Sequence, residues 1–187
     1  TDAVTLNGST TLTSNSSGAI ALNSTVNGAY SLTVDTSGTT TFGGNVGGTT
    51  PLTSISTEAA GTTAINTSAS TTSDAQTYND AITLGADTTL TSNNSGAIRS
   101  NSTINGAKSL TVNTSGATTF GGVVGGATAL TSLATNVSGT TTINTSAITT
   151  SGAQTYNDAF NLGTDTTLTS SGSGAIERQP HFDGIGR

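Results

Sequence analysis

The stretch VNGAYSLTV at residues 26–34 returns as INGAKSLTV at residues 104–112, and this recurrence decides the fold. Residues 1–78 align with residues 79–156 without a gap, and 55 of the 78 positions are identical. A third, partial copy runs from residue 157 to residue 176. A repeat of fixed length is typical of proteins in which each unit stacks on the previous one. The sequence therefore predicts one repeat array over residues 1–176.

A shorter period lies inside the repeat. An aliphatic residue opens it every 19 or 20 positions, at Leu6, Val26, Val46, Ile65, Leu84, Ile104, Val124, Ile143 and Leu162. This period is too short for paired helices, and Thr, Ser, Asn and Gly are poor helix formers. Alternating Leu and Thr, as at residues 31–34, indicate strands with one buried face. The predicted fold is an all-β parallel β-helix (β-solenoid), with about 19–20 residues per coil and four coils per 78-residue repeat.

Stacked coils should bury the aliphatic positions in an internal ladder. The first ladder is expected to contain Leu6, Val26, Val46 and Ile65, and Leu110 is expected between Leu90 and Leu130. Four aromatic residues are expected to fill wider parts of the core near the corners, namely Phe42, Phe120, Tyr78 and Tyr156. Pairs such as Asn27-Gly28 are predicted to form corners, because both residue types tolerate positive φ.

The composition excludes several classes of function. Charged residues make up 7% of the 187 residues, and the net charge is -6. Only Arg99, Lys108, Arg178 and Arg187 could neutralise phosphates, so the sequence predicts no nucleic-acid partner. No run approaches the roughly 18 apolar residues of a membrane span, so no membrane insertion is expected. The absence of cysteine suits a secreted protein that must not cross-link by accident.

Two motifs point to a known family. TTFGGVVGG at residues 118–126 and QTYNDA at residues 154–159 resemble arrays in filamentous-haemagglutinin-type adhesins and related giant surface proteins of bacteria. The resemblance covers residues 1–176. It implies a right-handed parallel β-helix, export from the cell, and a role as a cell-surface or extracellular-matrix stalk. It brings no catalytic residues with it.

The aspartates are the candidates for catalysis. Polysaccharide-acting β-helix enzymes need clustered carboxylates, because one group must donate a proton and another must accept one. Asp2, Asp80 and Asp158 occupy the same position of successive repeats, so about 19 Å should separate neighbours. Asp35 and Asp74 are not kept in the second copy. All five are predicted to be solvated corner residues, and the sequence predicts no catalytic residue and no enzyme.

Metal and cofactor sites are not predicted either. Calcium-binding repeat proteins carry a Gly-Gly-x-Gly-x-Asp nonapeptide, whose aspartate is missing from the Gly-Gly pairs of this chain. Hard cations need several oxygen ligands, usually with carboxylates among them. His181 is the only histidine and lies in the tail that departs from the repeat.

A regular file of threonines suggests ice binding as an alternative, because such files on a flat face can order water. The file consists of Thr13, Thr33, Thr53, Thr91, Thr111, Thr131 and Thr169. Its partner file is interrupted, as at Pro51 and Ala129. The plainer interpretation is that threonine suits an exposed strand position.

Asn-x-Ser/Thr triplets are frequent. They begin at Asn7, Asn15, Asn23, Asn66, Asn93, Asn101, Asn113, Asn136 and Asn144. In a chain this rich in Asn, Ser and Thr, such triplets arise from composition alone. They are expected to be unmodified in a bacterial protein.

Residues 177–187 depart from the repeat and hold two of the four basic residues. This tail is interpreted as a vector remnant, the end of the array, or a junction between subunits. The first residue falls inside a coil, so the N-terminal coil is expected to lack a cap.

The predicted function is a non-catalytic structural or adhesive stalk segment of a secreted or cell-surface repeat protein. Expected partners are neighbouring repeats of the same parent protein or a second copy bound end to end. A host or cell-surface receptor or glycan is a further expected partner. The alternatives are a self-assembling extracellular filament subunit, an ice binder and a polysaccharide-acting enzyme.

Overall fold

The computed structural model of the protein describes residues 2–178, whose strands stack into a parallel β-solenoid of about eight turns. No helix occurs among these residues, and hence none that could cross a membrane. The prediction of an all-β parallel solenoid is confirmed. Each turn lays down three short strands, one on each of three faces, which we call A, B and C.

The strands are numbered β1 to β23 in chain order. Face A contains β1 (Val4–Thr5), β4 (Val26–Asn27), β9 (Ala69–Thr72), β12 (Thr88–Ser92), β15 (Ser109–Asn113), β17 (Ser132–Thr135), β20 (Gln154–Tyr156) and β23 (Ile176–Arg178). Face B contains β2 (Thr10–Ser14), β5 (Leu32–Thr36), β7 (Ile55–Thr57), β10 (Gln76–Tyr78), β13 (Ile98–Ser100), β16 (Ala117–Phe120), β18 (Thr140–Ile143) and β21 (Ala159–Leu162). Face C contains β3 (Ile20–Leu22), β6 (Thr39–Phe42), β8 (Thr62–Ile65), β11 (Ala81–Leu84), β14 (Ile104–Asn105), β19 (Ala147–Thr150) and β22 (Thr167–Ser170). Single bridges at Val46 and Val124 keep faces A and C continuous.

The turn is longer than the 19–20 residues predicted. It contains about 22 residues, because the corners differ in length and because a loop at residues 47–51 interrupts face A between the bridges of Val46 and Leu52. The 78-residue repeat therefore does not equal four turns. From β2 to its counterpart β12 the chain passes eleven strand positions, counting the bridge at Val46. Eleven positions at three per turn make three and two-thirds turns, so β2 lies on face B whereas β12 lies on face A.

The predicted core ladder is correct only in part. Val26 stacks on Val46, but its partner in the preceding turn is Val4 rather than Leu6. The next partner of Val46 is Ser70, because the loop at residues 47–51 lengthens that turn. Ile65 lies on another face, where it pairs with Phe42. The predicted neighbours of Leu110 are also wrong: its partners are Thr88 and Leu133.

The core mixes aliphatic, aromatic and hydroxyl side chains. Phe42, Phe120, Tyr78 and Tyr156 are all buried, as the sequence predicts. Many inward positions hold threonine, and Thr57, Thr63 and Thr141 have no exposed surface. Threonine suits these places because it is β-branched and its hydroxyl can bond to a neighbouring turn.

Glycine is required where the long loop leaves face A. Gly47 has a φ of 67°, and a Cβ atom there would lie 2.0 Å from the carbonyl oxygen of Thr71 in the next turn. Gly125 repeats the arrangement with a φ of 71° and the same separation from the oxygen of Thr149. A side chain at either position would push successive turns apart.

Candidate functional site

The most unusual polar groups are two buried aspartates at corners of the solenoid. Asp80 follows β10, where the chain passes from face B to face C, and it is 3% exposed. Thr57 and Thr63 of the preceding turn both donate hydroxyl hydrogen bonds to its Oδ1 atom, at 2.7 and 2.8 Å. The carboxylate thus links the end of β7 and the start of β8 to the corner of the following turn.

The second repeat builds the same corner around Asp158, which is 1% exposed. Thr135 donates to its Oδ1 atom at 2.9 Å, and Thr141 donates to its Oδ2 atom at 2.8 Å. The expectation of solvated aspartates is therefore wrong for Asp80 and Asp158, because the preceding turn covers both. Asp2 is exposed, since no described turn lies beneath it.

The two corners differ in how many oxygen atoms of the carboxylate accept a hydrogen bond. In Asp80 both hydroxyls bond to Oδ1, and the buried Oδ2 atom accepts no hydrogen bond from the protein. A Cβ atom on Gly61 would lie 3.5 Å from this Oδ2 atom, 2.4 Å from the carbonyl oxygen of Gly38 and 2.6 Å from that of Thr36. Gly61 therefore packs closely against the backbone of the preceding turn, and a side chain there would clash with the carbonyl oxygens of Gly38 and Thr36.

A second polar cluster crosses the core. The Nε2 atom of Gln76 donates to the carbonyl oxygens of Ser70 and Thr91 on face A, at 3.0 and 2.8 Å. Its Oε1 atom accepts a hydrogen bond from the Tyr78 hydroxyl at 2.9 Å. Burial raises the pKa of Tyr78 to about 12, so the phenol is held neutral as a donor. Gln154 makes the equivalent hydrogen bonds in the second copy. Each glutamine therefore connects two faces of the solenoid through the core and does not face solvent.

The other aspartates lie on the outside. Asp35 and Asp74 are exposed, as predicted, but only Asp74 lies at a corner, because Asp35 belongs to β5 on face B. Asp87 is exposed between faces C and A, where the backbone N–H of Ser109 donates to it at 2.8 Å and lowers its pKa. Within residues 2–178, His, Asp and Glu side chains form no group of three that could share a metal ion.

The threonine file behind the ice-binding alternative does not form. Thr33 belongs to face B, Thr111 to face A and Thr169 to face C. Residues one sequence period apart diverge because the repeat is not a whole number of turns. The outward file on face B is instead Thr11, Thr33, Ser56, Thr77, Arg99, Thr119, Thr142 and Asn161. Arg99 and Asn161 interrupt its hydroxyls.

The asparagines of the Asn-x-Ser/Thr triplets lie at or beside corners. Asn113 and Asn136 are half-buried, and the other seven are exposed. The Oδ1 atom of Asn136 accepts a hydrogen bond from the backbone N–H of Thr114 at 3.2 Å. Their modification stays an open prediction. His181 lies outside the described residues, as does most of the tail.

A small cavity of about 10 Å³ lies in the core, with Tyr78, Leu90 and Phe120 among its lining residues. It is apolar and has room for about one water molecule at most, so it offers no ligand site.

Sequence reasoning missed the partners of the buried aspartates. The spacing contained a signal, because each aspartate follows a threonine by 17 and another by 23 residues in both repeats.

Comparison of the chain with known protein families, characterised proteins and solved structures finds no match.

Proposed function

We propose that the protein is a non-catalytic structural or adhesive rod segment of a secreted or cell-surface repeat protein. The observation that carries this proposal is the use of the polar groups. Asp80, Asp158, Gln76 and Gln154 all bond across turns or faces of the solenoid, so they stabilise the stack. The ladders run from the first described turn to the last, as a rigid spacer requires.

The resemblance to filamentous-haemagglutinin-type adhesins supports placing this rod outside the cell. The outer faces are rich in threonine and poor in charge, which suits a stalk that meets few partners along its length. A receptor or glycan would be bound by a particular surface of the parent protein. Such binding is expected to leave the rod unchanged.

The spacer function predicts a fixed length. β1 and β23 both lie on face A and are eight pairing steps apart, which corresponds to about 38 Å. The chain lacks cysteine, so Thr5→Cys and Glu177→Cys allow two specific labels. Energy transfer between them should give the same distance at low and high salt. A distance that changes strongly with ionic strength would show a compliant chain and contradict the proposal.

A self-assembling filament subunit is the second candidate, and the outermost turns favour it. At one end Leu12 and Ile20 are only partly buried, and at the other Leu162 is 54% and Ile176 is 42% exposed. Among residues 2–178, the outermost strand of each face also has a strand partner on one side only, and such an edge can template another strand.

Sedimentation against concentration tests this second candidate, with the intact chain compared with one that ends before Glu177. The candidate predicts association that rises with concentration in at least one of the two chains. Monomers in both chains at every concentration would leave only the covalent spacer.

A further inference from the structure

The chain contains three Asn-Gly pairs, at residues 7–8, 27–28 and 105–106. In such a pair the backbone nitrogen of the glycine can attack the Cγ atom of the asparagine, because glycine has no Cβ atom to hinder the approach. The new C–N bond closes a succinimide ring, the Cγ–Nδ2 bond breaks, and ammonia leaves with the proton of the glycine nitrogen. Water then opens the ring to aspartate or isoaspartate. The reaction requires a mobile asparagine side chain and a free glycine N–H.

The pair at residues 27–28 is held by the adjoining turn. The Oδ1 atom of Asn27 accepts hydrogen bonds from the backbone N–H groups of Thr49 and Thr50, at 2.9 and 3.3 Å. The N–H of Gly28 donates to the carbonyl oxygen of Thr50 at 3.2 Å, and Gly28 is buried. The loop at residues 47–51 must therefore leave this corner before the glycine nitrogen can reach the amide.

The pair at residues 105–106 has the same restraints. The Oδ1 atom of Asn105 accepts from the N–H groups of Ala127 and Thr128, at 2.9 and 3.2 Å. The N–H of the buried Gly106 donates to the carbonyl oxygen of Thr128 at 3.3 Å. Both repeats thus combine a fixed amide with an occupied glycine N–H, which removes both requirements of the reaction.

The pair at residues 7–8 lacks these restraints. Asn7 is exposed and Gly8 is half-exposed. Among residues 2–178, neither the side chain of Asn7 nor the N–H of Gly8 makes a hydrogen bond. The adjoining turn passes from β4 to β5 through a short corner at residues 28–31, without a loop like that at residues 47–51. The Asn7 side chain and the Gly8 nitrogen are therefore free to approach each other.

We propose that Asn7 is a site of spontaneous deamidation, whereas the loops over Asn27 and Asn105 protect those two residues. Deamidation replaces a neutral amide by a carboxylate, so the corner at Asn7 gains one negative charge. In the isoaspartate product the main chain runs through Cβ and Cγ and becomes one atom longer. The stacked corners at Asn27 and Asn105 keep their amides and their backbone register.

The test follows the intact chain during incubation at mildly alkaline pH. Pepsin digestion in acid, where deamidation is slow, then allows mass spectrometry to assign the modified residue. Asn7 should deamidate at least about tenfold faster than Asn27 or Asn105, because those two react only after local opening of their corners. In urea the three rates should converge, since an aliphatic residue precedes each pair and a small residue follows it.

Gly8→Ala is the informative variant. A Cβ atom on Gly8 would have no atom within 4 Å, so the melting temperature should be unchanged. The added methyl group hinders the attack, and deamidation at Asn7 should slow by about tenfold. Equal rates at the three asparagines of the folded protein, or an unchanged rate at Asn7 in Gly8→Ala, would overturn the proposal. A rate at Asn7 that rises in urea as much as those at Asn27 and Asn105 would also contradict it.

Discussion

The sharpest test of the inward and outward assignment is to place the same charge on two successive residues of β15. Leu110 is 2% exposed and lies between Thr88 and Leu133 of the adjoining turns. Leu110→Asp loses about 1.5–3 kcal/mol of apolar burial and adds several kcal/mol for an unpaired buried carboxylate. The free energy of unfolding should fall by more than about 5 kcal/mol.

Thr111→Asp is the matched control, since Thr111 points outward from the same strand. Both variants change the net charge equally, so long-range electrostatics cancel in the comparison. The outward variant should cost less than about 1 kcal/mol.

Thermal melts followed by circular dichroism measure both variants. For a chain of this size each kcal/mol corresponds to about 2–4 °C, so Leu110→Asp should melt more than about 10 °C below the wild type. Hydrogen exchange should place the loss of protection in the turns that contain Thr88 and Leu133. Equal melting temperatures for the two variants would refute the assignment of sides.

The remaining predictions concern the loop, the buried phenol and the register. Gly47→Ala should destabilise far more than Gly48→Ala in denaturant titrations, because only Gly47 combines positive φ with a backbone clash; equal costs would contradict this. Burial raises the pKa of Tyr78 to about 12, so about 3 kcal/mol of stability should be present below pH 10 and lost between about pH 10 and 12. A constant free energy of unfolding over that window would count against the burial of this phenol. Spin labels on Thr33→Cys and Ser56→Cys should lie on adjacent strands, and a separation of several turns would refute the register.

The solenoid architecture could be predicted from the sequence, but the number of residues per turn could not. The fixed length of the repeat indicated that its units stack on one another. The alternation of Leu and Thr indicated strands. The aliphatic positions recur every 19–20 residues, yet corners of unequal length and the loop inserted at residues 47–51 change which residues become neighbours. Val46 shows the effect, because its next partner is Ser70, 24 residues later. Corner lengths depend on backbone geometry, which composition does not determine.

The buried polar groups were harder to predict for a different reason. Threonine is compatible with both sides of a strand, so nothing in its identity indicates that Thr57 and Thr63 point inward. Asp80 is an ordinary corner residue until the hydroxyls of the preceding turn cover it. Its burial is a property of two turns together, and it becomes visible in the sequence only as a spacing that both repeats share.

The fractional repeat fixes how often a binding partner meets the same surface. An array continued at the same period would turn each copy by a third of a revolution and raise it by about 18 Å. Equivalent residues would return to one side only after three copies, about 53 Å further along. A rigid bivalent ligand would thus need about 53 Å between its two binding groups to contact equivalent residues on one side of the rod. A ligand that contacts successive copies would need a different distance, because those copies face different sides. The number of copies that a ligand can contact from one side would thus depend on the rotation between copies as well as on how many copies there are.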